Sequence, residues 1–268
     1  MADWYAGDVI VGSIRLHYHR TGGSKPPVLL LHGLTDNGLC WTRLARALEA
    51  DYDLIMPDAR GHGLSDAPAS GYSRAAHAAD VAGLIAALGL NKPVLIGHSM
   101  GAVNAATTAA LYPERVGAVV LEDPPWREGP GPRGTPEGLA QWRADAAANK
   151  ARSVEELIAL CRARNPRWDE VEWLPWAHAK RQVSLNVFDF ESSLRAPWQE
   201  TAARVTCPAL LITADVAAGA IVTPEAAQEA ARLMPKGRVV HIAGAGHNIR
   251  REQFARYLEA VRGFLSAL

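Results

Sequence analysis

The stretch that decides the reading of this chain is Pro93-Val94-Leu95-Ile96-Gly97-His98-Ser99-Met100-Gly101-Ala102. A short apolar run leads into G-x-S-x-G, and from Met100 an alanine-rich pattern of helical period continues to Leu111. A strand that turns into a helix over so few residues forces the central residue into strained backbone, and Gly97, Gly101 and Ala102 are small enough to let strand and helix approach closely. The Ser99 hydroxyl is then held out at the carboxyl end of a sheet, where open α/β sheets bind their ligands. Ser99 is therefore the candidate nucleophile.

The same alternation extends on both sides of the elbow. Strands are expected at Val9–Val11, Ile14–Tyr18, Pro27–Leu31, Leu54–Pro57, Pro93–Ile96, Val116–Leu121, Ala209–Thr213 and Arg238–Ile242, eight in all. Helical patterns at Trp41–Glu49, Arg74–Leu88, Met100–Leu111, Pro224–Leu233 and Glu252–Leu265 separate them. Alternating strands and helices indicate an α/β fold, a mostly parallel sheet with helices on both faces, and the first two strands read as an antiparallel hairpin at its edge. The rhythm breaks between residues 124 and 206. This segment opens with Pro124-Pro125-Trp126 and a Gly/Pro-rich tract to Pro136, then reads as helix without strand signals. It is expected to be a helical lid inserted into a core domain made of residues 1–123 and 207–268. Six of the eight tryptophans lie in it, Trp126, Trp142, Trp168, Trp173, Trp176 and Trp198, with Phe188 and Phe190. Large aromatics of this kind either pack helices onto the sheet or roof an apolar pocket.

A serine hydroxyl needs a base, and the base needs an orienting carboxylate. Gly246-His247-Asn248, in a glycine-rich loop after the last strand, supplies the base. Two acids compete for the third role. Asp215 ends the strand from Ala209, and Asp123 follows the strand from Val116; either satisfies the chain order Ser, Asp, His. Asp215 is expected to be the acid, because Pro124 and Pro125 after Asp123 read as a rigid exit into the lid, which leaves Asp123 lining the substrate pocket beside Trp126 and His98. The oxyanion of a tetrahedral intermediate needs donors, expected from the backbone N–H groups of Met100 and of Leu34 in the loop after Pro27–Leu31.

Composition removes other classes of function. The 268 residues carry 28 Lys and Arg against 28 Asp and Glu, so no bulk basic field draws nucleic acid. No window reaches the roughly 18 apolar residues of a membrane span, and Met1–Gly12 lacks the cationic and apolar regions of a secretory signal. A cytoplasmic protein, monomer or homodimer, is the expectation. Cys40, Cys161 and Cys207 are spaced for neither a metal nor a redox motif and are expected to be reduced packing residues. His17 and His19 share a strand face without a third ligand, so no metal and no cofactor are expected.

His32-Gly33 after the third strand, Asp58-Ala59-Arg60-Gly61-His62-Gly63-Leu64-Ser65 after the fourth, the Ser99 elbow, Asp215 and His247 together resemble the α/β-hydrolase superfamily, in its lid-bearing serine esterase and lipase-like branch. The resemblance covers nearly the whole chain and implies that Asp58–Ser65 is a structural turn near the site, so Arg60 and His62 stay out of the catalytic set. Dehalogenases and epoxide hydrolases of this fold place aspartate at the elbow, where this chain has Ser99, and the lid tyrosines of epoxide hydrolases have no counterpart between residues 124 and 206. Cofactor-free haloperoxidases usually carry a proline shortly after the oxyanion residue, where Thr35-Asp36 stands here. The expected activity is hydrolysis of a small-molecule carboxylic ester, apolar or aromatic. Lactone opening or C–C bond hydrolysis on the same triad, and a slow-turnover ligand sensor, are the alternatives.

Overall fold

The apolar runs are nearly continuous rather than alternating because their strands are covered on both faces, as parallel strands are. In the computed structural model, which describes residues 4–129, 131–189 and 197–268, all eight expected strands are present. Phe190, counted above among the aromatics of the insertion, lies outside the described residues. The strands are β1 (Tyr5–Val11), β2 (Ile14–Arg20), β3 (Pro27–Leu31), β4 (Asp53–Pro57), β5 (Val94–His98), β6 (Ala118–Glu122), β7 (Ala209–Ala214) and β8 (Gly237–Ile242). They form one sheet in the order β1-β2-β4-β3-β5-β6-β7-β8, with β2 antiparallel to both of its neighbours, β1 and β4, and every other pairing parallel.

Successive side chains of each strand feed opposite cores. Leu29, Leu31, Leu95, Val119, Leu121 and Leu211 pack against α2 (Arg74–Ala87) and α3 (Met100–Leu111). Val28, Leu30, Ile96, Val120 and Ile212 pack against α1 (Thr42–Leu48) and the C-terminal helix Phe254–Leu265. Between β6 and β7 run α4 (Pro136–Lys150), α5 (Val154–Arg164), α6 (Trp173–Gln182) and α7 (Trp198–Ala202), all inside the expected insertion. They bury aromatic clusters of their own, one around Trp168 and Trp176 and another around Phe188. Then follow α8 (Pro224–Leu233), α9 (Ile249–Glu252) and α10 (Phe254–Leu265). Cys40 and Cys161 are free and buried, and burial pushes their thiols up to about 12 and about 11.

Two features hold the carboxyl end of the sheet in shape. The first is the strand-to-helix crossing. A Cβ on Gly97 would lie 2.2 Å from the Gly101 carbonyl oxygen, and one on Gly101 would lie 2.0 Å from that of Leu31. The second is a set of buried neutral histidines. The Ala59 N–H donates to His32 Nε2 at 3.0 Å, so the proton is on Nδ1 and is donated to the Gly33 carbonyl at 2.9 Å. The Thr35 N–H donates to His62 Nε2 at 3.2 Å, and His62 Nδ1–H donates to the Arg60 carbonyl at 3.0 Å. Both rings accept from a backbone N–H and so must be unprotonated. Burial lowers the pKa of His32, and lowers those of His62 and His98 further; it brings His77 down to about 3.

Two outcomes are expected. Gly97→Ala puts a methyl group against backbone that cannot yield, and should cost a few kcal/mol of stability, lowering Tm by roughly 5 °C or more; an unchanged melting curve would contradict the packing. The histidines bind protons in the unfolded chain near pH 6.5 but not in the folded one, so their contribution is complete above that pH and is lost as pH falls below it. Each should remove about 1 kcal/mol between pH 7 and 5.5, read as a falling urea midpoint; a flat midpoint would show that the rings are protonated in the folded state.

Candidate active site

Ser99 stands between β5 and α3 at φ 53 and ψ −115, the positive-φ backbone that the elbow was expected to impose on a residue other than glycine. Its N–H donates to the Glu122 carbonyl at 2.9 Å, which ties the elbow to the end of β6. Met100 opens α3, so its N–H has no acceptor within the helix and is available at the site. Gly33 lies over the elbow, where an added Cβ would meet Ser99 Cβ at 3.4 Å. The carbonyl of the trans Gly33–Leu34 peptide accepts from His32 Nδ1–H and from the Asp36 N–H at 3.0 Å, which fixes the Leu34 N–H in the opposite direction.

His247 belongs to the loop before α9. Its Nδ1–H donates to Asp123 Oδ2 at 2.6 Å, a short charge-assisted bond to a fully buried carboxylate. The same carboxylate accepts from the backbone N–H of Ile221 at 2.9 Å and of Val222 at 2.9 Å. The expectation for Asp215 is thereby corrected. Its carboxylate accepts from His241 Nε2–H at 3.0 Å and from the Gly244 N–H at 2.7 Å, partners that hold it below the usual carboxylate range, and it faces solvent away from His247. The reason is local backbone. Asp123 has φ 40, a conformation that aspartate tolerates better than most residues, and this turns its side chain under the histidine loop. Asp215 instead starts a short 3₁₀ turn through Ala218 and braces the loop that carries His247.

Ser99, His247, His98, Leu34 and Met100 all border one cavity of about 1270 Å³. Ser99 and His247 form no hydrogen bond with each other, and such bonds commonly tighten only around substrate. His98, expected to line the pocket, does so: its Nε2–H donates to the His247 carbonyl at 2.9 Å, and the two rings lie 4.7 Å apart. Trp126 does not line it. Its N–H turns back onto the Pro124 carbonyl at 2.6 Å, and the buried indole stacks beneath Trp198 at 5.1 Å. Trp198 takes the wall position, with Trp142, Trp168 and Trp176.

Charge also reaches the cavity. Arg127, half-buried on the loop after Asp123, forms no ion pair or hydrogen bond among the described residues; burial lowers its pKa, against the opposing field of Asp123. Arg164 and Arg133 also line it, the latter over the Trp142 ring. Lys180 and Arg251 border it too but are engaged. Lys180 Nζ donates to Thr35 O at 2.7 Å, Thr35 Oγ1 at 2.9 Å and Asp36 Oδ1 at 3.0 Å, while Arg251 pairs with Glu172 and Asp36. Neither Arg127 nor Lys180 was legible as a site residue, since isolated cations in a helical insertion carry no motif. His62, set aside with the Asp58–Ser65 turn, borders the cavity as well, in its bracing role.

Similarity to known proteins agrees with this geometry. N-formylmaleamate deformylase from Pseudomonas putida is 32% identical over 265 residues, covering 97% of this chain and 96% of that relative. The 2-(acetamidomethylene)succinate hydrolase from Mesorhizobium japonicum is 30% identical over 272 residues, covering 97% and 94%. A crystal structure of E-2-(acetamidomethylene)succinate hydrolase superposes with a TM-score of 0.84 at 28% identity, covering 98% of this chain and all of that one. The family model for the α/β hydrolase fold matches residues 26–250, and the chain is a member of that family.

Proposed function

We propose that this α/β hydrolase cleaves the acyl bond of a small carboxylate-bearing substrate, an N-acyl amide foremost, through an acyl-enzyme on Ser99. Asp123 Oδ2 holds His247 Nδ1–H, so that Nε2 is the basic nitrogen that takes the Ser99 proton as Oγ attacks the carbonyl carbon. The oxyanion formed is stabilised by the N–H groups of Leu34 and Met100. Collapse expels the nitrogen leaving group, which receives the proton from His247. A water deprotonated by His247 then attacks the acyl-enzyme, the second tetrahedral intermediate collapses, and the acid leaves with Ser99 restored.

The observation that carries the substrate class is Arg127, a guanidinium on the cavity wall without an ion pair or hydrogen bond among the described residues, four residues beyond the triad acid. Holding an unpaired cation half-buried is unfavourable unless an anion completes the site. The names of the two relatives describe N-acyl groups on carboxylate skeletons, which fits that charge. The apolar or aromatic ester expected from the tryptophans gives way accordingly: the indoles supply walls, and the arginine supplies orientation.

Asp123→Asn should cost on the order of 10⁴ in kcat, because His247 loses the partner that fixes its tautomer, while Asp215→Asn should stay within a few-fold. Steady-state assays of both variants decide it, and a larger loss at Asp215 would return the acid to β7. In a substrate panel, N-formylmaleamate and 2-(acetamidomethylene)succinate should exceed their neutral diamide analogues in kcat/KM by about 10- to 100-fold, a preference that Arg127→Met removes. Equal turnover of charged and neutral members would overturn the assignment.

A further inference from the structure

We propose that Lys180, carried into the site by α6, is a positioning residue for the oxyanion donor of Leu34; the inference rests on the hydrolase reading above. The residues Gly33–Asp36 form a turn closed by the Asp36 N–H on the Gly33 carbonyl at 3.0 Å, with Thr35 at its third position and φ 68. Turns of this kind take glycine or asparagine there, and a β-branched residue held at positive φ is strained. A chain that accepts this strain needs something to hold the torsion.

Two side chains hold it from opposite ends. His62 Nε2 accepts from the Thr35 N–H, on the near side of the strained N–Cα bond. Lys180 grips atoms that all lie beyond that bond: the Thr35 carbonyl, the Thr35 hydroxyl and the Asp36 carboxylate. If Thr35 relaxed, Asp36 would move with it and its N–H would leave the Gly33 carbonyl. That bond is one of the two that orient the Gly33–Leu34 peptide, and with it the Leu34 N–H. A lysine ammonium has three donors, and here all three are taken, so Lys180 has none left for substrate even though it borders the cavity. Its place is 145 residues from Thr35 in sequence, on the helical insertion, so docking of the insertion and formation of the oxyanion site are one event.

The test uses p-nitrophenyl acetate and a fluorophosphonate probe. Lys180→Met should lower kcat by about 10- to 100-fold with KM changed less than about 3-fold, short of the 10²- to 10³-fold loss seen when an oxyanion donor is deleted. In a Thr35→Gly background, where glycine holds the positive φ unaided, the same substitution should cost less than about 3-fold. Lys180→Gln, too short to reach the three acceptors, carries the same comparison should Lys180→Met not fold. Unchanged kcat, a loss confined to KM, or an equal loss in both backgrounds would overturn the proposal. Wild-type protein that neither reacts at Ser99 nor turns over the ester would instead refute the hydrolase reading itself.

Discussion

The Asp36 carboxylate is the point on which the site depends. Burial alone would raise its pKa, but Arg251, Lys180 and Arg250 surround it and hold it well below the usual carboxylate range. Arg250 reaches on to Glu122 at the end of β6, and its backbone N–H donates to the same residue at 2.9 Å. Arg251 reaches to Glu172 of the insertion at 3.0 Å. Its Nη2 stands 3.1 Å from Asp36 without hydrogen-bond geometry, an ion pair held by charge alone. Three buried cations thus balance three buried carboxylates. Removing one member of such a cluster strands a charge and costs about 3 to 5 kcal/mol, whereas the intact set is close to neutral in its own contribution to stability. What it supplies is registry: Asp36 belongs to the Gly33–Asp36 turn, Glu122 precedes Asp123, Arg250 and Arg251 follow His247, and Lys180 and Glu172 belong to the segment between β6 and β7.

Strain is distributed to match. Among the described residues, four other than glycine have positive φ: Thr35, Lys92, Ser99 and Asp123. Three of them border the candidate site: Thr35 follows Leu34, Ser99 is the elbow residue and Asp123 is the partner of His247. Each such residue costs on the order of 1 to 3 kcal/mol and persists only where its surroundings over-determine it. The determinants are identifiable. Ser99 is pinned by the Gly97–Gly101 crossing and the Glu122 carbonyl, Asp123 by three donors on its carboxylate, and Thr35 by His62 and Lys180. The buried charge cluster and the strained residues are therefore one construction, in which a rigid polar interior holds backbone in conformations it would not adopt alone.

This explains what was legible in the sequence. The eight strands and the strand-to-helix elbow are encoded locally, in apolar runs and glycines at fixed offsets, and the structure places them as read, while His247 lies in a glycine-rich loop that the sequence also marks. The choice between Asp123 and Asp215 is not local. Both end parallel strands, and the outcome depends on the backbone turn at Asp123 and on the N–H groups of Ile221 and Val222, brought there from 98 and 99 residues away. The Pro124-Pro125 step, read as an exit from the sheet, also directs Trp126 into the core beneath Trp198, so one misreading displaced two residues. His32 and His62 were visible as motif letters, but their work as hydrogen-bond acceptors of fixed tautomer appears only once Ala59 and Thr35 stand beside them.

The equality of 28 basic and 28 acidic residues argues against a bulk electrostatic partner, and it holds for the chain as a whole. It says nothing of a single cavity, where the balance is set by which cations already have partners. Lys180 and Arg251 border the cavity with their charges matched by Asp36 and Glu172, so they present little net field to a ligand. Arg127 is different: half-buried and without an ion pair among the described residues, it shares with Arg133 and Arg164 a cavity walled by indole rings. An anionic group entering there would meet guanidinium groups that no carboxylate among the described residues holds. On the proposed function, a chain without net charge selects a charged substrate in this way, because Lys180 and Arg251 are paired and Arg127, among the described residues, is not.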